Sequence, residues 1–224
     1  LASFFRRINS FWEMSHLREN QKEMNKADMN FDSSNDGCDC GNLVKLLDVD
    51  DDFIVELRYA TEDNFTGKRV YESAECYIDR ETLKMLIEAR DVFKKDGYRV
   101  KIWDAYRPIS AQKRFWEIYP DDNFVARPPD METMTSFRST HMNGQCVDIT
   151  LTDMEGNELK MPTCFDDFRE IAALKNNDPE TEEYKNAAYM CKVMESAGFG
   201  ASPTEWWHFY DNKNPHPRYL DYRI

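Results

Sequence analysis

Three side chains in this sequence are suited to sharing one metal ion: His141, Asp148 and His208. His141 and Asp148 are separated by Met142-Asn143-Gly144-Gln145-Cys146-Val147, and both reach one ion only if that segment turns. Gly144 permits the turn, because glycine tolerates positive φ. Asp148 sits beside Val147, Ile149 and Leu151, a strand-like apolar run. A carboxylate buried there needs a partner or a cation. His208 ends the run Glu205-Trp206-Trp207-His208. Two imidazoles and one carboxylate leave the fourth position of a tetrahedral zinc open, as in catalytic rather than structural sites. This donor set favours zinc over other divalent ions. Zinc brings the pKa of a bound water to about 7. Glu205 is a candidate to take that water's proton and pass it to a leaving amine. Arg107, in Asp104-Ala105-Tyr106-Arg107-Pro108, is a permanently charged candidate for stabilising an oxyanion.

Each of these residues also has a plain reading. A single histidine is more often a core or surface residue than a ligand. Arg107 beside a proline could be a structural donor in a turn, and Trp206 and Trp207 could be simple core. His16 and His216 lack metal-like neighbours and keep the plain reading. Glu205 and His208 pose a geometric problem. Strict strand alternation puts residues three apart on opposite faces. The segment must twist or begin in a loop, and Pro203 favours a loop.

The elements that would position these groups read as follows. Phe4, Phe5, Ile8, Phe11 and Trp12 recur at helical spacing within residues 1–30. A helix docked on the main domain is expected there; a membrane-surface or partner-binding helix is the alternative. Ser33-Ser34-Asn35-Asp36-Gly37 has linker chemistry. Residues 1–41 are thus expected to be an N-terminal helical extension and linker, and residues 42–224 the catalytic domain. Alternation predicts a strand over 53–58. Asp79 is expected to cap a helix running to about Lys95, with Gly97 ending it. Residues 98–103 read as a strand, and Ser110 as the cap of a helix through Tyr119. Residues 121–138 are polar and contain prolines, the pattern of a loop that could cover a site. Strands are expected at 146–151 and 205–210, with a helix from about Glu180 to Ala197 stopping at Gly198. The order of strands and helices has no regular βαβ beat. An α+β fold is expected, with a central, mainly antiparallel sheet flanked by helices.

Hydrophobic residues make up 41% and aromatics 13% of the 224 residues, a globular composition with enough chain for a substantial core. No run is long and apolar enough to span a bilayer. The net charge of −13, with no basic stripe, argues against nucleic-acid binding. The six cysteines are scattered without a C-x-x-C pair, and free thiols are favoured over disulfides. A cytoplasmic location is the expectation. Secretion or membrane association is the alternative if an upstream signal was removed.

Four separated motifs carry a resemblance. They are Tyr59-Ala60-Thr61-Glu62-Asp63-Asn64-Phe65-Thr66-Gly67, D-x-Y-R-P at 104–108, S-x-H-x-x-G-x-x-x-D at 139–148 and E-W-W-H at 205–208. In this order and spacing they resemble the VanX-type D-alanyl-D-alanine dipeptidases over roughly residues 42–222. The resemblance implies the α+β fold shared by zinc D,D-carboxypeptidases and the Hedgehog signalling domain. It implies one zinc ion on His141, Asp148 and His208, Glu205 as catalytic base and Arg107 as transition-state stabiliser. It also implies Ser139 near the substrate and Asp166 holding the free amino group of a small dipeptide. Such a carboxylate would favour a dipeptide over a longer chain. Two departures stand out: Cys146 where the family usually has Ala, and the N-terminal extension.

The resemblance thus implies zinc-dependent hydrolysis of D-alanyl-D-alanine in peptidoglycan metabolism or glycopeptide resistance. The nearest rival is a D,D-carboxypeptidase or dual-function enzyme acting on peptidoglycan stem peptides. A zinc-containing binding module without catalysis is a third reading, opposed by the presence of both Glu205 and Arg107. The N-terminal helix could dock on the domain or mediate dimerisation.

Overall fold

The computed structural model describes residues 42–122, 124–129, 139–214 and 218–224. The N-terminal helix and linker, His16, His216, Cys38, Cys40 and much of the 121–138 loop lie outside the described residues. In chain order the elements are β1 (Leu43–Lys45), α1 (Leu46–Val49), β2 (Ile54–Val55), β3 (Tyr77–Asp79), α2 (Arg80–Lys95) and β4 (Arg99–Asp104). They continue with α3 (Ile109–Ile118), β5 (Cys146–Thr152), α4 (Glu182–Ala197), β6 (Phe199–Ala201) and β7 (His208–Asp211). Four short 3-10 turns lie between them.

The main sheet has the order β2-β4-β5-β7-β6, and β1 and β3 form a separate antiparallel pair. Only β2 and β4 run parallel within the main sheet; its other pairings are antiparallel. The fold is therefore α+β with a mainly antiparallel sheet. On β5, Val147, Ile149 and Leu151 are fully buried and join Leu86, Ala89 and Phe93 of α2 and Met190 and Met194 of α4 in one core. Burying each large apolar side chain contributes roughly 1.5–3 kcal/mol. The alternate positions Cys146, Asp148 and Thr150 share the opposite face of the strand.

Both long helices begin and end for local reasons. The Asp79 carboxylate accepts hydrogen bonds from the backbone of Glu81 at 2.9 Å and Thr82 at 3.2 Å, capping α2. Thr181 accepts from Tyr184 N and caps α4, two residues later than expected. Gly198, at φ 111°, ends that helix in the left-handed region.

Several expectations need correction. Ser110 does not cap α3: the helix starts at Ile109 after Pro108, with no side-chain cap. Proline's fixed φ and missing N–H suit it to a helix start. The strand expected over 53–58 shortens to β2, because the chain closes a 3-10 turn at Arg58–Ala60. The final strand starts at His208 rather than Glu205. Trp206 and Trp207 occupy a turn in which His208 N donates to Glu205 O at 3.4 Å, which resolves the alternation conflict.

Candidate active site

The site grows from a turn, a bulge and two adjacent strands. His141–Asn143 form a 3-10 turn that closes at Gly144, where φ is 75°. A Cβ at that glycine would lie 2.5 Å from Leu43 Cδ2 and 3.0 Å from Asp79 N, so the turn requires glycine on two counts. The chain then enters β5, where Asp148 lies opposite His208 of β7. His141 Nδ1 donates to Ala105 O at 2.6 Å, which turns Nε2 toward Asp148 Oδ1 at 3.3 Å and His208 Nδ1 at 3.1 Å. His208 Nδ1 lies 2.9 Å from Asp148 Oδ1. One ligand atom from each of the three side chains lies within 4.8 Å of the others, a spacing that suits a single metal ion.

The electrostatics fit a cation. Burial alone would raise the Asp148 pKa, but His141 and His208 outweigh it and hold the carboxyl below the usual range. Burial alone would lower His208; Cys146 and Asp148 outweigh it and raise the imidazole well above its ordinary value.

A second group stands beside this cluster. Register shifts between Ile102 and Asp104, so that Asp104 rather than Trp103 faces Asp148 across β4 and β5. Asp104 is completely buried. Its Oδ2 accepts from Arg107 Nε at 3.0 Å and Nη2 at 2.7 Å, and its Oδ1 accepts from Tyr71 OH at 2.7 Å. Arg107 Nη1 donates to Gln112 Oε1 at 2.8 Å, and Gln112 donates in turn to Ala126 O. The guanidinium stacks over the rings of Tyr59 and Phe115, at 5.2 and 4.9 Å. Its Nη2 is 3.9 Å from Asp148 Oδ2. Burial would lower the Arg107 pKa; Asp104, Tyr59, Tyr71 and Asp148 together outweigh it and raise it.

The remaining carboxylates are poised differently. Burial pushes Glu205 up to about 8. Burial also raises Asp166, to about 7, while the Tyr59 hydroxyl donates to its Oδ1 at 2.9 Å. Asp166 adopts φ 59°, and its buried Oδ2 has no hydrogen-bond partner among the described residues. Ser139 Oγ donates to Asp211 O at 2.5 Å, so its proton is already committed to the scaffold. All seven residues singled out from the sequence line one cavity of about 520 Å³. Asp122, Phe124, Val125 and Ala126, from the loop expected to cover a site, line it too.

A family model for D-ala-D-ala dipeptidase matches residues 39–223. The chain belongs to the D-ala-D-ala dipeptidase family. Within that family it is similar to the D-alanyl-D-alanine dipeptidase of Escherichia coli K12, at 32% identity over 76% of this chain and 85% of that protein. It is 30% identical to the Enterococcus faecium D-alanyl-D-alanine dipeptidase over 75% of this chain and 91% of that one. Among solved structures, VanYB in complex with D-alanine-D-alanine aligns at 15% identity and TM-score 0.41, over 64% of this chain and 76% of that one. That likeness is too loose to build on.

For a member of the D-ala-D-ala dipeptidase family, four residues that support the site had no role assigned from the sequence: Asp104 and Tyr59, which stand in quoted motifs, and Tyr71 and Gln112, which do not. Asp104 carried a signal, since it stands three residues before Arg107 in the D-x-Y-R-P motif. Tyr71 carried none, because it meets Asp104 from a loop 33 residues away. Four free cysteines lie among the described residues. Cys146 is buried on the cavity wall beside His208, and Cys76 is buried too. Among the described residues no helix is long and apolar enough to cross a membrane.

Proposed function

We propose that residues 42–224 form a zinc D,D-dipeptidase that hydrolyses D-alanyl-D-alanine. One observation carries this reading: the convergence of His141, Asp148 and His208 inside a cavity that also holds Arg107 and Glu205 on its walls. The donor set, two imidazoles and one carboxylate, fits zinc. When bound, the ion supplies Lewis acidity that activates water for attack at neutral pH.

The side chains supply the rest. Asp166 holds the ammonium of the dipeptide, and its buried, unpartnered oxygen suits that partner. Arg107 is fixed by Asp104 and Gln112, so its charge is already in place when an oxyanion develops on the scissile carbonyl. Glu205 takes a proton from the attacking water and delivers it to the departing nitrogen as the C–N bond breaks. A carboxyl raised toward neutrality by burial is matched to carrying a proton in both directions. The products are two molecules of D-alanine.

The test joins metal analysis to turnover by the full-length protein. The expected result is one zinc per chain, hydrolysis of D-Ala-D-Ala, and far weaker cleavage of an N-acylated pentapeptide ending in D-Ala-D-Ala. Preference for the acylated peptide would replace this reading with a D,D-carboxypeptidase. Zinc binding without hydrolysis of either would leave a binding module.

A further inference from the structure

A dipeptide must reach from the carboxylate that holds its ammonium to the group that protonates its departing nitrogen. The spacing of Asp166 and Glu205 therefore sets the length of chain that fits. The two residues come from separate segments. Asp166 lies on the irregular stretch between β5 and α4, and Glu205 on the turn that leads into β7. Fixing one against the other needs a link. Trp206 directly follows Glu205 and is buried, yet unlike Trp207 it is not among the residues that line the cavity. By burial alone it would be core and nothing more.

Its polar atoms give it a second task. Trp206 Nε1 donates to Thr163 Oγ1 at 2.9 Å, and Trp206 N donates to Ala172 O at 3.0 Å. The two acceptors bracket Asp166, so one residue holds both ends of the 163–172 segment. Apart from the 3-10 turn at Glu170–Ala172, that segment has no regular structure to hold it. Between the two bonds, Phe165 packs its ring among Tyr59, Trp103 and Trp207, at 5.9, 5.0 and 5.5 Å. Trp103 in turn meets Trp206 edge-on at 5.9 Å. With Phe165 anchored in these rings, Asp166 takes φ 59° and its carboxylate accepts from the Tyr59 hydroxyl at 2.9 Å on the cavity wall. Left-handed backbone at a residue other than glycine persists where its surroundings hold it there. A buried N–H that loses its acceptor is costly, so the indole bond contributes to that hold.

We infer that Trp206 is a positioning residue: through Thr163 and Ala172 it clasps the segment bearing Asp166 to the turn bearing Glu205 and His208, and so fixes the span that admits a dipeptide with a free amino group and rejects an acylated chain. The clasp touches no substrate. It acts by keeping the Asp166 carboxylate at one distance from Glu205. The backbone bond to Ala172 survives substitution of the indole, whereas the bond to Thr163 does not. Loss of the indole N–H therefore frees the Thr163 end and leaves the other end in place. This inference rests on the dipeptidase reading and on Asp166 as the ammonium's partner.

The experiment gives the zinc-loaded full-length protein D-Ala-D-Ala and N-acetyl-D-Ala-D-Ala as paired substrates. Trp206→Phe keeps a ring and removes the N–H; Thr163→Val keeps the shape and removes the acceptor. In each, the KM for D-Ala-D-Ala should rise about tenfold with kcat changing less, and the preference for the free amine should narrow by a similar factor. Zinc content should stay at one per chain. Thr163→Ser restores the acceptor and should behave as wild type. The double variant should be little worse than either single one, because both break the same bond. If Trp206→Phe does not fold, Thr163→Val decides alone. An unchanged KM in Thr163→Val overturns the clasp, as does a rise in KM that leaves the free-amine preference intact, which would mark the pair as packing only. A wild type that turns over neither substrate removes the dipeptidase reading instead. Amide hydrogen exchange then decides the clasp: exchange across 163–172 should quicken in Thr163→Val while β5 and β7 keep their protection, and unchanged exchange would refute it.

Discussion

Arg107 and Glu205 line the same cavity around the metal cluster, and they are held in opposite ways. Arg107 is gripped by two bonds to Asp104, one to Gln112 and two aromatic rings. Glu205 stands at a turn after Pro203, and its side chain has no protein hydrogen bond among the described residues. A group that stabilises developing charge gains from being fixed beforehand, since no reorganisation is then needed at the moment of reaction. A group that carries a proton from one atom to another needs freedom to move and a pKa near neutrality. Burial supplies the second, lifting Glu205 to about 8.

This contrast can be broken in stages. The largest effect is expected at the group without a hydrogen-bonded grip: Glu205→Ala should lower kcat by about 10²–10⁴-fold while zinc content stays at one per chain. Surviving activity would mean that another group moves the proton. On the fixed side, Asp104→Asn keeps the shape but removes the charge that holds the guanidinium. A fall in kcat/KM of about 10–100-fold is expected, with zinc retained, measured by steady-state kinetics. An unaffected kcat/KM would show that Gln112 and the rings suffice.

A smaller effect concerns Asp166, which burial raises to about 7. Below that pH its carboxyl is protonated and cannot pair with the substrate's ammonium. The KM for D-Ala-D-Ala should therefore rise roughly tenfold between about pH 8 and pH 6. Asp166→Asn should flatten that profile, and an unchanged profile would remove the assignment. Smallest of all, Tyr71→Phe strips one donor from a buried carboxylate and should cost about 1–3 kcal/mol of stability in chemical denaturation. Its kcat should change less than that of Asp104→Asn.

The same contrast marks what could be read from sequence. His141, Asp148 and His208 were legible because a turn-permitting glycine and a carboxylate inside an apolar run are local signals. Asp79 as a helix cap and Gly198 as a stop were legible for the same reason. The grip on Arg107 was not. It depends on a bulge after Ile102 and on a tyrosine from a distant loop, and no residue type announces either. The three-residue strands β1, β3 and β6 are too short to show a period. The short parallel strand β2 gives way to the 3-10 turn at Arg58–Ala60 while Leu57 and Tyr59 keep alternate buried positions, so the apolar alternation runs on past the end of the strand. Glu205 and His208 could share the cavity only because the strand begins at the histidine, the outcome that Pro203 favoured.

The register shift after Ile102 makes chain length at this point a functional constraint. Deleting one residue within β4 would slide the strand by a pleat and exchange neighbours across it. An indole would then look toward the metal cluster, and the guanidinium would lose its counter-charge inside a closed interior. Such a chain could keep its hydrophobic centre and still have no working site, so insertions and deletions here should be tolerated far less well than substitutions.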